Sequence, residues 1–366
     1  MAGSQLTSIP WEAFSALPLM EKAPYFMEEG NPYHILTAQQ FDRKQLDDLG
    51  ELATKIRRIA KAEEGMTFLR RRLSYKRAML YFTQPSSRTF LSFCAACQIL
   101  GIAIGEVRDT ATSSEFKGES KEDSVRTFSF YFDLIIMRSQ MGGLAERMAW
   151  VLSNSERPIP VVNAGSGQDQ HPTQALLDIY TLYRSFETRG GIDGKTILFV
   201  GDLLRGRTVR SLSWLLTNYR QVKQIFAAPQ ELQISQDVLS LLDRAGVEYR
   251  LTNDFKSAIP EADAIYMTRI QDEWDSAAKE SRKLDTAGFH FTGADLQRLK
   301  KDGVLMHPLP RRQEISTDVD HDPRAVYWRQ MRNGMWIRAA LIATIFHREA
   351  SIHAYAAENG ISRRLS

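Results

Sequence analysis

Cysteine is almost absent from this chain. Cys94 and Cys97 are the whole supply, too few for a disulfide framework, and a reducing cytoplasm is the expected compartment. Long apolar runs are missing as well. None approaches the roughly 20 residues needed to span a bilayer, so no membrane association is expected. No basic residue precedes Lys22, which argues against a secretory signal and against an arginine-rich transit peptide. Net charge is small, at +3 from 47 basic and 44 acidic side chains. That leaves no electrostatic case for nucleic acid, although a few converging arginines would suit a small anionic substrate.

What is present is the composition of a soluble globular protein, 43% hydrophobic and 25% charged. At 366 residues the chain is too long for one ordinary core and about right for two. Residues 1–33 are irregular and partly apolar (Trp11, Phe14, Leu17, Tyr25). They read as an extension with exposed aromatics that packs on the body or on a partner. From Leu36 to Ala62 the pattern is helical. Strand-like runs then alternate with amphipathic ones: Ala78–Phe82, Leu134–Arg138, Pro160–Asn163, Thr196–Val200, Gln224–Ala228, Val247–Leu251, Ala264–Met267 and Val304–Met306.

This alternation predicts an α/β fold of two open doubly wound domains with mainly parallel sheets. A long helix over Pro172–Phe186 should join them, followed by the break Arg189-Gly190-Gly191. The expected first domain is 34–180, completed by 330–350 as the final amphipathic run, Gly334–His347, returns to it. The second is 181–329, and 351–366 is a tail. Trp328, Trp336 and Ile337 read as core.

In open α/β sheets ligands bind beyond the carboxyl ends of the strands, and the polar segments here cluster at those ends. Gln84-Pro85-Ser86-Ser87-Arg88-Thr89 lies between a strand and a helix-like run from Phe90 to Leu100. A loop that opens a helix offers free backbone N–H groups and the positive end of the dipole; with its hydroxyls and an arginine it makes a phosphate cradle. Arg138 closes one strand, and His171-Pro172-Thr173-Gln174 follows another. Asp202 and Arg207 follow Ile197–Val200, Arg269 and Gln271 follow Ala264–Met267, and His307-Pro308-Leu309-Pro310-Arg311 follows Val304–Met306. One strand-end arginine is usually a solvated charge; Arg88, Arg138, Arg207 and Arg269 together are not so easily dismissed.

Ser86-Ser87-Arg88-Thr89, His171-Pro172-Thr173-Gln174 and His307-Pro308-Leu309-Pro310-Arg311 resemble the signature segments of the carbamoyltransferases. Gly201-Asp202-Leu203, Gly206-Arg207-Thr208-Val209 and Met267-Thr268-Arg269-Ile270-Gln271 are similar to segments of the branch that takes aspartate. The resemblance runs from about His34 to about Arg348. It implies condensation of carbamoyl phosphate with L-aspartate in pyrimidine synthesis, without cofactor or metal. A neutral amine attacks the carbamoyl carbon, an oxyanion forms, and phosphate leaves, each step building negative charge that fixed donors stabilise.

By that resemblance Ser86, Ser87, Arg88 and Thr89 hold the phosphate, and Arg88 also stabilises the leaving oxygen. Arg138 and His171 polarise the carbonyl, while Gln174 and backbone carbonyls near Pro308-Leu309 accept from the NH2 group. Arg207, Arg269 and Gln271 grip the two aspartate carboxylates, with Leu309 and Pro310 alongside. Ser113 and Lys117, in Ser113-Ser114-Glu115-Phe116-Lys117-Gly118-Glu119, match a loop that such enzymes lend to a neighbouring subunit. A homotrimer with shared active sites is therefore expected, with a regulatory chain or another pathway enzyme as a possible further partner.

The chain departs from the pattern in places. Phe90 and Cys94 stand where an Arg and a Glu are usual, and Leu204-Arg205 replaces a more usual Lys-Tyr beside the acceptor segment. Cys94-Ala95-Ala96-Cys97 formally matches a metal half-site but lies in an apolar helical run and reads as core. Two rivals stand beside the main reading: a carbamoyltransferase for another amino acceptor, and a non-catalytic scaffold or regulatory paralogue.

Overall fold

A computed structural model describes residues 5–109, 118–167, 171–271 and 287–361. The chain divides into two compact units, residues 1–176 with 334–366 and residues 177–333. The first division falls inside the helix Pro172–Phe186, the second inside the helix Tyr327–Ile345.

The first unit holds a four-stranded sheet built from β1 (Arg77–Phe82), β2 (Ala103–Val107), β3 (Leu134–Ser139) and β4 (Val161–Ser166). The order is β2-β1-β3-β4, and every pairing is parallel. β1 and β3 are largely apolar, and apart from the exposed Arg77 all residues of β1, β3 and β4 are buried, as in strands covered on both faces. β2 was not among the expected strands. Its sequence, Ala-Ile-Gly-Glu-Val, is interrupted by a glycine and a glutamate, and it forms the half-exposed edge.

Crossover helices include Ser87–Leu100, Lys121–Tyr131 and Leu144–Ser153. The first ends at Gly101, whose φ of 80° and close approach to the Arg70 carbonyl leave no space for a Cβ. The second unit holds β5 (Thr196–Val200), β6 (Lys223–Ala227), β7 (Tyr249–Thr252), β8 (Ala264–Met267) and β9 (Val304–Met306). Its five strands run in the order β9-β8-β5-β6-β7, again all parallel.

Of the two alternatives expected for it, the N-terminal segment takes the first and packs on the body of the first unit. It forms a short helix, Trp11–Ala16, and Leu6, Phe14 and Phe26 are fully buried in one core cluster with Tyr81, Ile135 and Met148 of the first unit. Arg147 lies over the rings of Trp11 and Trp150, at 4.8 and 5.1 Å from their centroids. Lys22 pairs with Glu146 at 2.8 Å in a half-dry setting, and the Trp150 indole donates to the Ile9 carbonyl at 2.9 Å. The aromatics looked exposed because no helical period marks a segment this short. The chain's other end also departs from expectation: 351–366 is not simply a tail, since the helix Glu349–Glu358 packs on the helix Arg43–Ile59. Trp336 and Ile337 are buried, but Trp328 is 46% exposed and meets Tyr327 edge to face, with Arg311 over its ring.

His34 locks the first unit from within. The Val161 N–H donates to its Nδ1 at 3.1 Å, so the neutral ring carries its proton on Nε2, which donates to Ser153 Oγ at 3.0 Å. Full burial holds the imidazole neutral down to about pH 3.

Two outcomes follow from this packing. Phe14→Ala should cost about 3–5 kcal/mol in the first unit, read as a lower midpoint of chemical unfolding. For His34 the folded pKa lies below that of the unfolded chain, so the unfolded state binds the extra proton. Stability is complete above about pH 6.5 and is lost as pH falls toward the folded value. His34→Gln should make the decline in unfolding free energy between about pH 6 and pH 4 shallower by up to about 1.4 kcal/mol per pH unit, whatever its effect on absolute stability. An unaltered slope would show that His34 is not the group responsible.

Candidate active site

In the first unit the chain runs from β1 outward to β2 and then returns to the other side of β1 as β3. Such a reversal, here at the carboxyl ends of β1 and β3, is where open α/β sheets bind their ligands. Ser87 opens the helix after β1, with Ser86 as its N-cap in extended conformation. The first backbone N–H groups of that helix have no acceptor within it, and its dipole favours an anion. Ser87 and Arg88 are exposed, and Thr89 is buried.

Arg138 sits at the end of β3, in register with Phe82 on β1 and at an irregularity in the pairing with β4. A bulge of this kind re-aims a side chain. Its carbonyl accepts from Thr83 N–H at 2.9 Å and from Gln84 N–H at 3.3 Å, which fixes the start of the loop after β1. The buried guanidinium donates through Nη1 to the Ala164 carbonyl at 3.0 Å and lies 3.5 Å from His171 Nε2. His171 stands before Pro172, and Gln174 N–H donates to the His171 carbonyl at 3.0 Å. Arg138 is thus brought beside His171 and Gln174, which lie more than 30 positions further along the chain, and all three are buried. Ser113 and Lys117 lie outside the described residues.

The second unit repeats the logic at β5 and β8, where its strand order reverses. Gly201, with φ of 111°, passes so near the Thr268 carbonyl that a Cβ would fall 2.3 Å from its oxygen. The fully buried Asp202 follows. Its Oδ1 accepts from Arg205 N–H at 3.1 Å and its Oδ2 from Gln271 N–H at 3.0 Å. Arg207 is the first residue of the helix Arg207–Leu216. Arg269 follows β8 and donates to the Ile270 carbonyl at 2.9 Å.

Leu309, at φ of 56°, precedes a cis bond to Pro310. Its N–H donates to Nδ1 of the buried His307 at 2.7 Å, so the neutral ring presents Nε2–H to Glu314 Oε1, also at 2.7 Å. Burial outweighs the pull of Glu314 and keeps His307 below the ordinary imidazole range. Burial alone would push the Glu314 carboxyl up; the hydrogen bond from His307 overrides it and leaves the carboxyl low. Beyond this, Arg311 forks onto Asp320, with an Nη2–Oδ2 distance of 2.6 Å.

Sequence reading did not assign roles to Asp202, Arg205, Glu314 or the His307 ring. An acidic residue straight after an apolar strand and a glycine was the available signal for Asp202. The histidine–glutamate link had none, because seven positions in a loop carry no period.

Comparison with known proteins adds an independent line. Residues 33–184 match the family described as "Aspartate/ornithine carbamoyltransferase, carbamoyl-P binding domain". Residues 193–345 match "Aspartate/ornithine carbamoyltransferase, Asp/Orn binding domain". A Pisum sativum protein named "Aspartate carbamoyltransferase 1, chloroplastic" is 39% identical over 334 residues, covering 89% of this chain and 82% of its own. The "Aspartate carbamoyltransferase catalytic subunit" of Vibrio cholerae is 39% identical over 316 residues, covering 86% of this chain and 96% of its own. Among solved structures, aspartate transcarbamoylase from Trypanosoma cruzi in complex with carbamoyl phosphate and aspartate is similar at a TM-score of 0.77 and 36% identity. It covers 85% of this chain and 96% of its own.

Proposed function

The chain belongs to the aspartate/ornithine carbamoyltransferase family, and we propose that the residues at the strand ends of its two units carry out carbamoyl transfer as follows. The protein is a carbamoyl-group transferase, moving the carbamoyl group of carbamoyl phosphate to the amine of L-aspartate. The products are N-carbamoyl-L-aspartate and phosphate, and the reaction serves pyrimidine biosynthesis.

The first unit's residues handle carbamoyl phosphate. The N–H groups opening the helix Ser87–Leu100 and the side chains of Ser86, Ser87, Arg88 and Thr89 bind the phosphate, as an anion at a helix start is bound. The aspartate amine, in its neutral form, attacks the carbamoyl carbon and a C–N bond forms. The carbonyl electrons move onto oxygen, where Arg138 and His171 meet the oxyanion. Collapse breaks the C–O bond to phosphate, Arg88 balances the charge on the departing oxygen, and the amine's extra proton passes to the departing phosphate. Gln174 orients the NH2 group. Arg207, Arg269 and Gln271 of the second unit take the acceptor's carboxylates, beside Leu309 and Pro310.

The observation that carries this reading is the buried Arg138 at the reversal of the first sheet. It is held by the Ala164 carbonyl 3.5 Å from His171. A cation that is fixed before substrate arrives costs nothing to reorganise as charge develops.

The reading extends to a cytoplasmic homotrimer in which a neighbouring copy lends Ser113 and Lys117. The exposed Leu91, Phe130 and Tyr131 of the first unit supply apolar surface for such a contact, and the free thiols Cys94 and Cys97 suit a reducing compartment.

The test is ureido-product formation from carbamoyl phosphate with a panel of amino acceptors. Aspartate should be the substrate, and Arg88→Ala should lower kcat by about 100-fold or more. An undiminished rate in that variant would sink the assigned mechanism. Light scattering should give a particle of three chains; a monodisperse, active monomer would remove the shared-site part.

A further inference from the structure

The geometry points to Arg205 as a positioning residue for acceptor binding, holding the main chain of Gln271 from across the gap between β5 and β8. The inference rests on the proposal above that Gln271 binds the acceptor.

Two turns meet at that gap. The one after β5 runs through Asp202 and Arg205, the one after β8 through Thr268 to Gln271. Thr268 N–H donates to the Val200 carbonyl at 2.8 Å, the last step of the sheet. Among the described residues no strand pairing fixes the backbone beyond Thr268. The turn after β5 takes over that work from both sides of one residue. Asp202 Oδ2 accepts from Gln271 N–H at 3.0 Å. Arg205 Nη1 donates to the Gln271 carbonyl at 3.4 Å and lies 3.9 Å from the same Asp202 oxygen. Donor and acceptor of Gln271 are thus both engaged by side chains from a single turn.

Arg205 is suited to this by burial and by charge. Its side chain is 14% exposed and Asp202 is fully buried, so the guanidinium also offsets a carboxylate that would otherwise be a costly isolated charge. A guanidinium has five donors in a planar fork and can serve a carboxylate and a carbonyl together. The tyrosine expected at this position from the family resemblance has one hydroxyl and no charge. This chain therefore steadies its acceptor segment by its own means, which accounts for Arg205 in the turn; nothing in the structure explains Leu204.

The experiment is a double-mutant cycle on the full chain with Arg205→Ala and Gln271→Ala, measuring the aspartate KM, the carbamoyl phosphate KM and kcat. Arg205→Ala should raise the aspartate KM by about 10-fold and leave the carbamoyl phosphate KM within about twofold. In the Gln271→Ala background the same change should add less than about twofold, because the residue it acts through is already gone. Arg205→Lys, which keeps the charge and one donor toward the carbonyl, should recover part of the loss and carries the test if Arg205→Ala melts early. Fully multiplicative effects would overturn the inference by showing that Arg205 acts independently of Gln271. An unchanged aspartate KM in both Arg205 variants would overturn it too. If Gln271→Ala alone leaves the aspartate KM unchanged, the proposed acceptor site fails first, and the positioning role with it.

Discussion

A parallel sheet delivers all its strands to the same edge, and the chemistry of this protein depends on that constraint. In each unit the chain must leave the carboxyl end of every strand and cross back over a face of the sheet. Loops from strands far apart in sequence therefore gather along one rim. Where the strand order reverses, two adjacent loops turn away from each other and the rim opens. β1 and β3 make that opening in the first unit, β5 and β8 in the second. Residues as distant in sequence as Arg138 and His171 become neighbours there because backbone pairing leaves them nowhere else to go.

Both openings are stiffened by polar groups that satisfy main-chain donors and acceptors beyond the last strand pairing. The Arg138 carbonyl receives two N–H groups from the loop after β1. Asp202 receives one from each of the turns it joins. His307 receives the Leu309 N–H and passes the restraint to Glu314. The common physical reason is the cost of leaving a buried N–H or C=O without a partner, about 1–3 kcal/mol. A side chain that removes this cost also sets the position of the segment. The residues of the proposed site are therefore held in place by their neighbours.

The first unit shows how far apolar packing extends beyond the sheet. Leu6, Phe14 and Phe26 complete a core that the strands and crossover helices alone would leave open. Lys22 and Arg147 pin the segment through an ion pair and two indole faces. The burial of His34 belongs to the same region and uses the same economy. One neutral ring accepts from the backbone of β4 and donates to Ser153, and the setting would penalise its charged form.

The sequence by itself determined the two sheets, because a strand buried on both faces must be an unbroken apolar run. Thr196–Val200, Ala264–Met267 and Val304–Met306 could be read to the residue. It also determined which polar segments end those strands, since Arg88, Arg138, Arg207 and Arg269 lie at or within a few residues of the strand ends. The edge strand β2, broken by Gly105 and Glu106, escaped notice because an edge strand needs no such run. Only the tertiary structure decided that Phe14 is interior and Trp328 is not, since burial of an isolated aromatic depends on what lies opposite it. It alone decided that Asp202 and Arg205 hold Gln271, and His307 holds Leu309. Those are contacts between turns, set by strand order and twist, and no local period in the chain encodes them.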